Sequence, residues 1–218
     1  MGLYCTKYQV LSTEYNSCMH PAEPARTTRI ALAFEGGLGA VAIIIGWFVG
    51  QSPLVGLSTA PEDARQQIVA VGWGLVATGP LLLALLCMEQ FPIGPLRHLR
   101  EMTSEVILRM FGGASLAQLA AVAIAAGIGE ELLFRGLVQA GVANFFGIGI
   151  GLAAASVLFG LCHWLNTTYA ILAAFAGAYF GLLLAATGNI LTPIVAHAAY
   201  DFLALTYLIR PASLLGSK

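Results

Sequence analysis

Glu130, Glu131, Arg135, His163, His197 and Asp201 are the residues whose types and spacing could do chemistry. The segment Gly127-Ile-Gly-Glu-Glu-Leu-Leu-Phe-Arg-Gly136 sets two carboxylates and a guanidinium in otherwise apolar sequence. An ionised side chain at the centre of a membrane helix costs about 2.5–3.5 kcal/mol on insertion scales, so these groups must face the protein interior and find partners there. Glu131 precedes Arg135 by four residues, the favourable register for an ion pair on one helix face, and this pair reads as a structural brace. Glu130 lies about 100° around the helix from Glu131. It is free of that pairing geometry and can point into a cavity as a general base.

The other groups come from two further apolar stretches. Phe159 and His163 lie four apart in Phe-Gly-Leu-Cys-His, and His197 and Asp201 lie four apart in His-Ala-Ala-Tyr-Asp. Asp201 could fix the tautomer of His197. Thr192 and Pro193 suit the N-cap and first position of a helix, which would put His197 just inside the membrane. Taken singly, each has a bland reading: a packing histidine, a core phenylalanine, a structural His–Asp pair. Their sorting into three short clusters, one per helix, favours a common site. One Glu and two His are the groups needed to deprotonate and steer a water. Glu130, His163 and His197 could equally hold a catalytic divalent metal such as zinc with an open position, and the residues leave both open. No Ser or Cys shows a nucleophile signature, since Cys162 falls on another helix face from His163. Glu35 is one more acid inside an apolar stretch, with no evident partner.

The elements that must position these groups follow from composition. The 218 residues are 58% hydrophobic and 10% charged, with a mean hydropathy of +0.82, far more apolar than a soluble domain. No Asp, Glu, Lys or Arg occurs from Gly136 to Tyr200, and about 20 residues cross one bilayer. The expected fold is all-α, a polytopic transmembrane bundle of about six spans enclosing a polar cavity. The spans are expected near Ile30–Gly50, Gln66–Met88, Leu116–Gly141, Ile148–Trp164, Ala170–Thr187 and Ile190–Ile209. This divides the chain into an N-terminal segment 1–29, two helices and a connector over 30–115, a core over 116–210 and a tail over 211–218.

Outside the spans, Lys7, Arg26, Arg29, Arg97, Arg100, Arg109, Arg210 and Lys218 fall on one side and Arg65 on the other. The positive-inside rule then puts both termini in the cytoplasm. Small size and short loops point to a prokaryotic plasma membrane. The connector 89–115 carries Glu101, Glu105 and Arg109 at helical spacing, as a surface helix or a solvated link would. A net charge of −1 gives no clustered basic surface, and nucleic acid is not an expected partner.

At its polar clusters the chain resembles the CPBP family of intramembrane proteases, the CAAX-protease and bacteriocin-processing (Abi) group. Glu130-Glu131-Leu-Leu-Phe-Arg135 fits its EExxxR motif, Phe159 to His163 fits FxxxH, and His197 to Asp201 fits HxxxN/D. The resemblance covers roughly Leu116 to Arg210. It implies hydrolysis of a peptide bond in a membrane-associated protein or peptide, inside a helix bundle open to the cytoplasm. Glu130 and His163 would activate water, and His197 and Asp201 would stabilise the oxyanion or orient the group that does. Glu131, Arg135 and Phe159 would brace the site. Members are described both as metal-dependent and as glutamate proteases. Competing readings are a catalytically silent scaffold or bacteriocin self-immunity protein, and a proton-coupled transporter. No inverted repeat supports the last of these.

Overall fold

Apolar runs of this length must satisfy their own backbone hydrogen bonds in lipid, and helices do so within each segment. The structure, a computed structural model, describes residues 23–58, 60–91 and 94–209. Lys7, Arg210, Lys218 and the tail 211–218 lie outside them, as does most of the segment 1–29. The described chain folds as seven helices and a short 3-10 turn, Pro61–Asp63, with no strand among the described residues. We number them α1 (Glu23–Val49), α2 (Ala64–Gln90), α3 (Pro95–Phe111), α4 (Leu116–Phe146), α5 (Ile148–Cys162), α6 (Thr167–Thr187) and α7 (Leu191–Ile209).

Five of these, α1, α2, α4, α6 and α7, are long and apolar enough to cross a membrane. The sixth expected span, α5, has only 15 residues, about 22 Å of helix against about 30 Å of hydrocarbon. Among the described residues the bundle therefore has five long candidate spans and a sixth, shorter apolar helix packed along α6, in keeping with about six spans. The first helix begins at Glu23 rather than near Ile30, so Arg26 and Arg29 sit on its opening turns and not in a separate segment.

Half of the apolar window of α4 is buried, against 17–33% in the other spans, which makes α4 the central helix. It packs against α1, α5 and α7, while α2 packs along α7. Its start is fixed by a capping box: Ser115 Oγ accepts from the Gln118 amide, and Gln118 Oε1 accepts from the Ser115 amide at 2.8 Å. Leu132–Gln139, in its middle, is a π-helical segment. Such widened turns are uncommon and occur often at functional sites.

The link after α1 folds back into the bundle. Val55 O accepts from the Ile190 amide at 2.9 Å. Buried Pro53 lies against Gly136, where an added Cβ would collide with the Pro53 carbonyl. At the opposite end lie α3 and the turn between α5 and α6, where Asn166 Oδ1 caps α6 through the Tyr169 amide at 2.8 Å. The start of α7 differs from expectation: Asn189 Oδ1 receives the Leu191 amide at 2.9 Å, one turn before Thr192. The Thr192 hydroxyl instead donates to Ala70 O at 3.2 Å, tying α7 to α2.

Candidate active site

The three clusters meet at one place in the bundle. Glu131 and Arg135 are fully buried and pair at 3.0 Å, Oε1 to Nη1, as their spacing predicts. The same Glu131 oxygen accepts from His197 Nδ1 at 2.8 Å. His197 Nε2 faces Asp201 Oδ2 at the longer distance of 3.5 Å. The carboxylate that orients the ring most directly is thus Glu131, from another helix, and Asp201 addresses the second nitrogen.

Arg135 also donates from Nη2 to Gly177 O on α6 at 2.8 Å, one turn before Gln139 Nε2 donates to Gly181 O at 3.0 Å. The widened π-helical turns therefore attach to α6 at two successive points. The guanidinium lies 4.4 Å from the Phe159 ring centroid and 5.4 Å from that of Phe180, a favourable cation–π environment for a buried charge. On its other side Phe159 stacks on His163, centroids 4.3 Å apart at 23°. Phe180 stacks on His197 at 4.7 Å and 13°. Each histidine ring thus rests on an aromatic that also touches Arg135.

His163 closes α5. Its Nδ1 donates to Phe159 O at 2.9 Å, which leaves Nε2 as the acceptor of the neutral ring. That nitrogen faces Glu130 Oε2 across 3.6 Å. Exposure shows where the cluster opens: the side chains of His163 and Asp201 are 27% and 29% exposed, those of Glu131 and Arg135 not at all. The opening lies toward the end of the bundle that carries α3, where Asn166 Nδ2 lies 3.6 Å from Met102 Sδ.

All seven expected residues, Glu130, Glu131, Arg135, Phe159, His163, His197 and Asp201, belong to this cluster. Among the described residues, however, no three His, Cys, Asp or Glu side chains are gathered as a metal ion would require. The set Glu130, His163 and His197 is not converged for one. Two contributors went unnoticed in the sequence. Phe180 and Gly177 are ordinary residues of an apolar helix and carry no signal there. Glu35 did carry one, a lone acid, and the structure places it where α1 crosses α4, beside Gly129 and Glu130.

Buried and half-buried acids and histidines from four helices, α1, α4, α5 and α7, are thus gathered inside an apolar bundle. Residues 112–203 match the family model of the Rce1-like proteins, described as type II CAAX prenyl endopeptidase Rce1-like. Comparison with curated proteins and with solved structures returned no match.

Proposed function

We propose that this protein is an intramembrane endopeptidase in which Glu130 and His163 activate the attacking water. The observation that carries the reading is the facing of Glu130 Oε2 and His163 Nε2, from different helices, with His163 Nδ1 already committed to the Phe159 carbonyl. A water lodged between them meets two acceptors. As its oxygen bonds to the substrate carbonyl carbon, Glu130 takes its proton. When the C–N bond breaks, Glu130 returns that proton to the departing amine. His197, held between Glu131 and Asp201 as an imidazolium, donates to the oxyanion from a position fixed in advance. Asp201 as a carboxylate only accepts, so it orients His197 and leaves the oxyanion to the ring.

Substrates would be membrane-associated proteins or peptides. The family's description makes prenylated CaaX peptides the first class to try. Arg97, Arg100 and Arg109 lie at the end to which the site opens and Arg65 at the other, so that end is assigned to the cytoplasm.

The test is cleavage of prenylated and unprenylated CaaX peptides by purified protein in detergent, for wild type and His163→Ala, with and without chelator. The proposal expects cleavage by wild type and a loss of about 10²–10⁴-fold in the variant. A rate unchanged by chelator assigns water-only chemistry. A chelated enzyme restored by zinc assigns the metal-dependent route to Glu130, His163 and His197. Cleavage surviving His163→Ala would overturn the proposal, and inertness of every form toward every tethered peptide would favour a silent scaffold.

A further inference from the structure

Glu35 is a buried acid that the mechanism above does not use, and it lies outside the residues matched to the family. It comes to the site through a close crossing of α1 and α4. Gly129, the residue before Glu130, lies so close to α1 that an added Cβ would collide with the Glu35 carbonyl. One turn further along α1, a Cβ on Gly39 would sit 3.3 Å from Gly129 Cα. Small residues at such crossings let two backbones approach. Here the approach sets Glu35 on α1 beside Gly129 and so next to Glu130, the following residue of α4.

Glu35 Oε2 and Glu130 Oε2 are both buried with no donor bonded to them. Two carboxylates in contact repel, and the pair is stable as an O–H···O⁻ hydrogen bond in which one acid donates to the other. A buried, unsatisfied carboxyl costs stability, so an apolar residue of similar size at position 35 would pack as well or better. Folding alone thus gives no reason for an acid here.

We propose that Glu35 is a positioning residue of the hydrolytic site: from α1 it hydrogen-bonds the Glu130 carboxylate and holds it toward His163. This rests on the endopeptidase reading above. It extends the site to a fourth helix and makes the α1–α4 crossing part of the machinery.

The test compares Glu35→Leu, Glu35→Gln and Glu130→Gln with wild type, measuring kcat and KM on a peptide that wild type cleaves and the unfolding midpoint in detergent. Glu35→Leu should keep or raise the midpoint while kcat falls about 10–100-fold, the worth of one hydrogen bond to a charged group, with KM nearly unchanged. Glu35→Gln, whose amide still donates to Glu130, should stay within about fivefold of wild type, a small part of that loss. Wild-type kcat in Glu35→Leu, or a Glu35→Gln as impaired as Glu35→Leu, overturns the inference. A fall in midpoint that accompanies the fall in kcat does so too, because a merely structural acid would behave that way. Failure of the underlying reading looks different: there Glu130→Gln retains cleavage, or wild type cleaves no tethered peptide, and the inference falls with it.

Discussion

One oxygen of Glu131 receives both the Arg135 guanidinium and the His197 ring, so the buried charge of one helix fixes the imidazole of another. Removing either partner leaves the other ionised and buried. Glu131→Leu or Arg135→Leu alone should cost about 3–5 kcal/mol, read as a lowered unfolding midpoint in detergent. The double variant should recover much of that stability, because two apolar side chains replace a desolvated pair, yet it should remain inactive with His197 unanchored. A double variant no more stable than the singles would show that the pair is not the unit it is taken for. Arg135→Lys should behave as a loss too, since a point charge cannot pair with Glu131, donate to Gly177 O and lie on Phe159 in one geometry. At this scale the sequence was most informative. Charges in lipid are costly enough to advertise themselves, so every ionisable residue of the cluster could be named. What bonds to what was less legible: four-residue spacing paired His197 with Asp201 within one helix, and the shorter contact came from Glu131 across the bundle.

Helix α4 carries the base and the brace, and its middle departs from α geometry at the residues that contact α6 and the re-entrant link. Periodicity does not reveal a π-helical segment in a run that is apolar on every face, and so neither Leu132–Gln139 nor the extension to Phe146 was foreseen. The link 50–57 was equally hidden, because its contacts are made by backbone: Val55 O to the Ile190 amide, and Pro53 against Gly136. Gly129 and Gly136 of α4 thus stand at backbone crossings. Gly129→Ala and Gly136→Ala should each cost about 1–3 kcal/mol, the usual penalty for overpacking a site that cannot give way. Gly72→Ala on α2, where an added methyl meets open space, should change the midpoint within about 0.5 kcal/mol. Equal midpoints for all three would show that the crossings are looser than described.

At the scale of the described bundle, five long apolar helices and a shorter α5 give it its asymmetry. His163 stands at the C-terminal end of this short helix, toward the face carrying α3. The number of apolar helices was legible from hydropathy, but the shortness of α5 was not, because composition does not report the position of a helix end. Orientation can be checked with an impermeant thiol reagent on a chain stripped of native cysteines. Arg65→Cys should react in intact cells and Arg97→Cys only after permeabilisation, and the reverse pattern would invert the assignment. The most direct test of the central claim is the cleavage rate of Glu130→Gln beside wild type, on one tethered peptide and at matched folded protein. The side chain keeps its size and loses its basicity, so the rate should fall about 10²–10⁴-fold. A Glu130→Gln protein cleaving at the wild-type rate would contradict the assignment of Glu130 as the base.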